Sequence, residues 1–111
     1  MNIETREIND IVIFELDGEV DLETSPTLRK SLLAHVNVGK SVVVGMSGVA
    51  YIDSSGIASL VEAYQTSRRN NSGFILAAIS DSAMRVLQLA RLDKVFTIQA
   101  TIDEAVSSLS S

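Results

Sequence analysis

Asp53, Ser54, Ser55 and Gly56 stand in a row between an apolar approach, Ala50-Tyr51-Ile52, and a helical stripe of Ile57, Leu60, Val61 and Tyr64. Two chemistries suit that row. Aspartate and serine oxygens accept hydrogen bonds from the free N–H groups at a helix start, so the residues read as a cap. A serine hydroxyl held at that position is also an acceptor for covalent modification. One residue suffices for a cap, yet three candidates are present. Gly56 costs roughly 1 kcal/mol of helix propensity relative to alanine. In a first turn it removes bulk beside the serines, which leaves room for a second chain to approach.

Other chemistries fit less well. Gly45-Met46-Ser47-Gly48-Val49 resembles a nucleophile elbow only in part, because Val49 stands where the closing glycine belongs. A serine nucleophile needs a base, and the sole histidine, His35, sits late in a predicted helix, where it favours the helix dipole. The glycines at 45, 48 and 56 lack phosphate-loop spacing, and no lysine follows them. Asp17, Glu19, Asp21 and Asp53 are acids of the kind that hold hard cations. Neither an EF-hand pattern nor an imidazole accompanies them, and acids in loops are usually just solvated. No catalytic constellation and no metal or cofactor site is expected.

The elements that must position the row follow from periodicity. Ile3–Ile8 alternates weakly, Asn9-Asp10 marks a turn, and Ile11–Leu16 is β-branched and aromatic, so the pair reads as an antiparallel hairpin. Asp17–Asp21 is polar and reads as a loop. Ser25 as N-cap and Pro26 at the first helical position open a helix whose buried face is Leu28, Leu32 and Val36, widened by Leu33. Gly39 stops it.

Ser41–Val44 is a short buried strand, followed by a loop over Met46–Ser54 and then the helix that starts at the serines. Asn70, Asn71 and Gly73 end that helix. Phe74–Ile79 is the next buried strand. Asp81 or Ser82 opens a third helix with Ala83, Val86, Leu87 and Ala90 on one side. Val95–Gln99 is the last strand. Thr101-x-x-Glu104 is a capping box before a terminal helix carrying Ala105, Val106 and Leu109, with Ser107, Ser108, Ser110 and Ser111 as a fraying tail.

The order β-β-α-β-α-β-α-β-α predicts one α/β domain over residues 1–111, a mixed and mostly parallel sheet with an N-terminal antiparallel hairpin, packed by four helices. Sites in such sheets gather outside the carboxyl ends of the strands. The loops at 17–21 and 46–54 are expected there, with the Ser80-Asp81-Ser82 turn nearby.

Bulk properties narrow the function further. The chain has 111 residues, a formal net charge of −5 and no cysteine. Length and balance suit one soluble globular core. An acidic chain without a basic stripe lacks the phosphate contacts that nucleic-acid binding needs. The first residues, Met1–Phe14, do not read as a signal peptide, and no apolar run is long enough to span a bilayer. A cytoplasmic protein is expected.

Three segments carry a family resemblance that covers essentially the whole chain. Tyr51-Ile52-Asp53-Ser54-Ser55-Gly56-Ile57 resembles the phosphorylation motif of STAS domains in the anti-sigma factor antagonist (anti-anti-sigma factor) family. Leu16-Asp17-Gly18-Glu19-Val20-Asp21 is similar to that family's Gly-Glu-Leu-Asp segment, and Leu92-Asp93-Lys94-Val95-Phe96 is a weaker third piece.

The resemblance implies a protein-binding switch rather than an enzyme. Its acceptor is Ser54, and its partner-binding residues are Glu19, Asp21, Asp53, Ser54, Ser55 and Gly56. The implied partner is an anti-sigma factor that is itself a GHKL-type serine kinase and brings ATP and magnesium. The unphosphorylated form binds it and releases a sigma factor, and a phosphoserine phosphatase reverses the modification. The free protein is expected as a monomer or weak dimer. STAS domains also serve as regulatory or structural subunits of lipid-transport complexes and of biofilm, chemosensory or response-regulator cascades. Two positions depart from the family pattern: Gly45 replaces a polar residue at the third strand's end, and Arg91 stands where glycine commonly precedes Leu92.

Overall fold

The computed structural model describes residues 1–110. Its elements are β1 (Asn2–Ile8), β2 (Ile11–Val20), α1 (Ser25–Val36), β3 (Ser41–Ile52), α2 (Ser54–Arg69), β4 (Phe74–Ala77), α3 (Asp81–Leu89), a 3-10 turn (Leu92–Lys94), β5 (Thr97–Gln99) and α4 (Ile102–Ser110). The five strands form one sheet in sequential order β1-β2-β3-β4-β5, with β1 antiparallel to β2 and all other pairs parallel. Right-handed crossovers that step always in one direction place their helices on the same face. Accordingly α1, α2 and α3 cover one face through Leu28, Leu32, Leu60, Ala63 and Leu87. The single helix α4 covers part of the other, where Ala105, Ile102 and Leu109 meet Ile13, Val43 and Ile75. The expected fold class holds.

The largest difference from expectation lies in two strands. Residues 17–20 and 46–52, expected as loops, extend β2 and β3 into a long parallel ribbon that pairs Val20 with Ile52. Register shifts between Glu15 and Asp17 and between Gly18 and Glu19 mark bulges. A bulge inserts an extra residue and resets which side chains face inward. In β3 the buried residues Met46, Val49 and Ile52 therefore recur every third position and hide the two-residue period.

Smaller shifts have local causes. Thr24, not Ser25, stands at the N-cap of α1 without a side-chain cap bond, and Ser25 is buried as the first helical residue. The bonds of that turn go to Asp21. Its Oδ1 accepts from the N–H groups of Glu23 and Thr24 at 3.0 and 3.1 Å, and its carbonyl accepts from the Ser25 N–H at 2.8 Å. β4 ends at Ala77, since Ala78 turns to φ 51°. Ser80, rather than Asp81 or Ser82, caps α3 by accepting from the Ala83 N–H at 3.2 Å. Val95 and Phe96 bond back to the Leu92 carbonyl, which shortens β5 to three residues. Ala90 ends α3 in an exposed position. α4 continues through Ser107, Ser108 and Ser110, whose hydroxyl donates to the Val106 carbonyl, so these serines do not fray. Ser111 lies outside the described residues.

Both departures from the family pattern acquire a physical reading. A Cβ on residue 45 would sit 2.8 Å from Ile102 Cδ1, so Gly45 lets α4 lie close on β3. Arg91 follows α3 in a left-handed conformation, φ 59° and ψ 24°, the geometry in which glycine commonly ends a helix. A non-glycine residue there carries roughly 1 kcal/mol of strain. Arg91→Gly is therefore expected to raise stability by about 0.5–1 kcal/mol, read as a higher urea midpoint with unchanged slope. An unchanged or lower midpoint would show that the turn holds arginine without strain.

Candidate functional site

The β2–β3 ribbon and the start of α2 meet at one end of the sheet. The Asp53 N–H donates to the Val20 carbonyl at 3.1 Å, which fixes the chain as it leaves β3. Asp53 is extended, φ −107° and ψ −172°, and α2 begins at the next residue. Buried Leu60 and Ala63 and half-buried Val61 and Tyr64 seat that helix on the sheet, as the stripe predicts. A two-bonded fork from Arg29 to Glu62, at 2.8 and 2.7 Å, ties α1 to α2 on the outer surface. The first turn of α2 thus has a rigid mount.

Asp53 is the cap. Its Oδ1 accepts from the Ser55 N–H at 3.0 Å, the Gly56 N–H at 3.2 Å and the Ser55 hydroxyl at 2.6 Å. The Ser55 hydroxyl, followed by the backbone amides of Gly56, Ser55 and Leu22, holds the Asp53 carboxyl below its ordinary value. Hydrogen bonds to the charged form have that effect. The carboxylate is a fixed anion already occupied by donors.

The two serines differ in setting. Ser55 is half-buried, and its carbonyl accepts from the Ser59 hydroxyl at 3.2 Å. Ser54 is exposed, and among the described residues its hydroxyl makes no hydrogen bond. A free hydroxyl and a bound one stand side by side.

Gly56 corrects an expectation. It is buried, and a Cβ there would lie 2.7 Å from Val20 Cγ1, 2.8 Å from Ile52 Cγ1 and 3.1 Å from the Val20 carbonyl oxygen. The space that glycine leaves is filled by the protein's own sheet, not kept open for a second chain.

The remaining predicted residues lie at the same end. Glu19 is exposed on β2, directly opposite Tyr51, while Asp21 is half-buried in the turn before α1. Asp21 therefore has a structural task in addition to its charge. Leu22, which no motif marks, and Tyr51, which reads only as part of an apolar approach, are 75% and 50% exposed at this end. An apolar residue predicted in a loop gives no warning of such exposure. Residues 12–28 and 41–67, which build this end, contain no lysine or arginine.

Among the described residues no group of three or more histidine, cysteine or carboxylate side chains is placed to hold a metal ion. A shallow cavity of about 240 Å³ opens on β1–β3 between Glu4, Glu15, Asp17 and Ser47, and neither Asp53 nor the two serines line it. His35 packs its ring edge-on to Phe14 at 5.6 Å and faces no serine of the motif. No described helix is long and apolar enough to cross a membrane.

Known proteins share this fold. A Listeria monocytogenes protein named anti-sigma-B factor antagonist is 28% identical over 100 residues, covering 89% of this chain and 87% of its own. The crystal structure of an anti-sigma factor antagonist from Mycobacterium paratuberculosis superposes with a TM-score of 0.89 at 24% identity, covering 99% of this chain and 94% of the other. The fold is also that of the Bacillus protein SpoIIAA, solved in a phosphorylated form (TM-score 0.76, 19% identity, 96% and 98% covered). The unphosphorylated SpoIIAA gives a TM-score of 0.79 at 18% identity, with 99% of each chain covered. The sequence profile of the STAS domain matches residues 2–105. With that match spanning nearly the whole chain, this chain belongs to the STAS domain family.

Proposed function

We propose that this protein is an anti-sigma factor antagonist, a regulatory binding module controlled by phosphorylation of Ser54. The observation that carries the reading is the exposed, unbonded Ser54 hydroxyl on the rigid first turn of α2, beside a carboxylate occupied by Ser55 and Gly56. The names of its relatives, and the existence of a phosphorylated fold neighbour, support it.

The partner is an anti-sigma factor with GHKL-type serine kinase activity. That kinase supplies magnesium and ATP. The Ser54 oxygen attacks the γ-phosphorus, the bond from that phosphorus to the β–γ bridging oxygen breaks, and ADP leaves. The hydroxyl proton passes to a base of the kinase or to water. A phosphatase restores the hydroxyl by transferring the phosphoryl group to water. The unphosphorylated protein holds the kinase and thereby frees a sigma factor in the cytoplasm. This chain contributes the acceptor and the docking face and no catalytic group.

Ser54→Ala tests the reading. The GHKL-type kinases of the source organism are incubated with wild type and variant in magnesium-ATP, and the phosphate is located by mass spectrometry. Removing one exposed, unbonded hydroxyl changes binding by no more than about threefold, while incorporation at the motif is lost. Phosphate found only elsewhere would overturn the Ser54 assignment. Tight kinase binding without any phosphorylation would instead indicate a regulatory subunit of another assembly.

A further inference from the structure

We propose that Asp53 selects the phosphate acceptor: by holding the Ser55 hydroxyl against its own carboxylate, it leaves Ser54 as the serine open to transfer. The inference rests on the phosphorylation reading and specifies how its site is chosen. Two adjacent serines have the same intrinsic chemistry, so selection must come from their surroundings.

The geometry separates them. The Ser55 hydroxyl donates to Asp53 Oδ1 at 2.6 Å, in the short range of charge-assisted bonds. The Ser55 backbone is held as well, its N–H on the same oxygen at 3.0 Å and its carbonyl by the Ser59 hydroxyl at 3.2 Å. Phosphoryl transfer requires the acceptor oxygen roughly in line with the leaving oxygen. For Ser55 to reach that position, its hydroxyl must leave Asp53. Breaking a charge-assisted bond disfavours the competent rotamer on the order of ten- to a hundredfold. Ser54 is exposed and forfeits no such bond.

An aspartate this close to a serine also suggests the opposite role, a base that activates Ser55. The setting of Asp53 opposes it. Three donors converge on one oxygen, and they hold the carboxyl below its ordinary value, so it is a poor proton acceptor. Asp53 is thus a positioning residue.

The test uses whichever GHKL-type kinase labels the wild-type chain, with magnesium-ATP and fragmentation that resolves adjacent serines. Wild type is expected to carry phosphate at Ser54, with Ser55 at roughly one part in a hundred or less. Ser54→Ala should not shift the phosphate to Ser55. In Asp53→Ala, the Ser55 share should rise at least about tenfold, and in the Ser54→Ala, Asp53→Ala double variant Ser55 should be labelled at least about tenfold faster than in Ser54→Ala. Asp53→Asn keeps an acceptor oxygen and should fall between. Circular dichroism confirms that each variant is folded.

Ready labelling of Ser55 in Ser54→Ala overturns the proposal. So does a Ser55 equally inert with and without Asp53, including the case where Asp53→Ala is not labelled at all. A second measurement needs no kinase. The Ser55 hydroxyl proton should be protected from exchange in NMR spectra of the wild type and lose that protection in Asp53→Ala. A Ser55 hydroxyl that exchanges as fast as that of Ser54 in the wild type also overturns it. Failure of every kinase to label wild type sinks the phosphorylation reading, while the exchange measurement still decides whether Asp53 holds Ser55.

Discussion

Replacing Ser54 by aspartate is expected to leave the domain as stable as before and to weaken kinase binding about thirtyfold or more. The two halves of that result have opposite electrostatic origins. At the first position of α2, a negative side chain meets the positive end of the helix dipole, which contributes about 0.3–1 kcal/mol at an exposed site. Asp53 stands next to it and offsets part of this by repulsion. The thermal midpoint should therefore move little.

Binding differs because the new charge finds no partner at home. The Ser55 and Gly56 amides, which would otherwise receive an anion, already bond to Asp53. No lysine or arginine occurs in residues 12–28 or 41–67. The added charge stays outward and enters an interface matched to a neutral hydroxyl, where an unpaired charge costs about 2–5 kcal/mol. Phosphate, with about −1.5 to −2 charges, should act in the same direction and more strongly. Ser54→Asn, similar in size to aspartate but neutral, is the control. It should bind within about tenfold of wild type, measured by calorimetry. Equal losses for the aspartate and asparagine variants would assign the effect to bulk and sink the electrostatic gate.

Much of the fold that mounts Ser54 is legible from residues alone. Helices were legible from their four-residue apolar repeats, as in Leu28, Leu32 and Val36 of α1, even where the cap fell one residue from its expected place. The start of α2 was legible because Asp53 announces it in sequence and then bonds to Ser55 and Gly56 in space. The upper halves of β2 and β3 were not, since bulges break the alternation that identifies a strand. The role of Asp21 was hidden for another reason. Charge is visible in a sequence, but the three donors from Glu23 and Thr24 that converge on its Oδ1 depend on how the turn folds. The motif is legible as a helix start, while the division of labour inside it depends on the fold: Asp53 caps, Ser55 is held, Ser54 is exposed and Gly56 packs.

Gly56→Val should reveal whether that packing is what presents Ser54. The Cβ would meet Val20 Cγ1 at 2.7 Å, Ile52 Cγ1 at 2.8 Å and the Val20 carbonyl oxygen at 3.1 Å, and the last of these is backbone at the end of the β2–β3 ribbon, held there by the Asp53 N–H. Neither strand can withdraw without breaking its pairing, so the helix start must lift. Overpacking of this kind costs about 1–3 kcal/mol, and the better helix propensity of valine returns only a few tenths of it.

Leu60→Ala supplies the contrast. It empties a fully buried site further along the same helix and should cost about 2–5 kcal/mol. Both losses can be read from urea midpoints. Their effects on Ser54 should differ in the reverse order. At temperatures where both variants are folded, Leu60→Ala should be phosphorylated at a near wild-type rate, whereas the less destabilised Gly56→Val should be slowed severalfold, because its lesion lies under the acceptor. Equal rates in the two variants would mean that Ser54 is recognised as a flexible segment and that the seat of α2 on Val20 and Ile52 serves stability alone. A selective loss in Gly56→Val would tie the close approach of helix and sheet directly to the presentation of the hydroxyl.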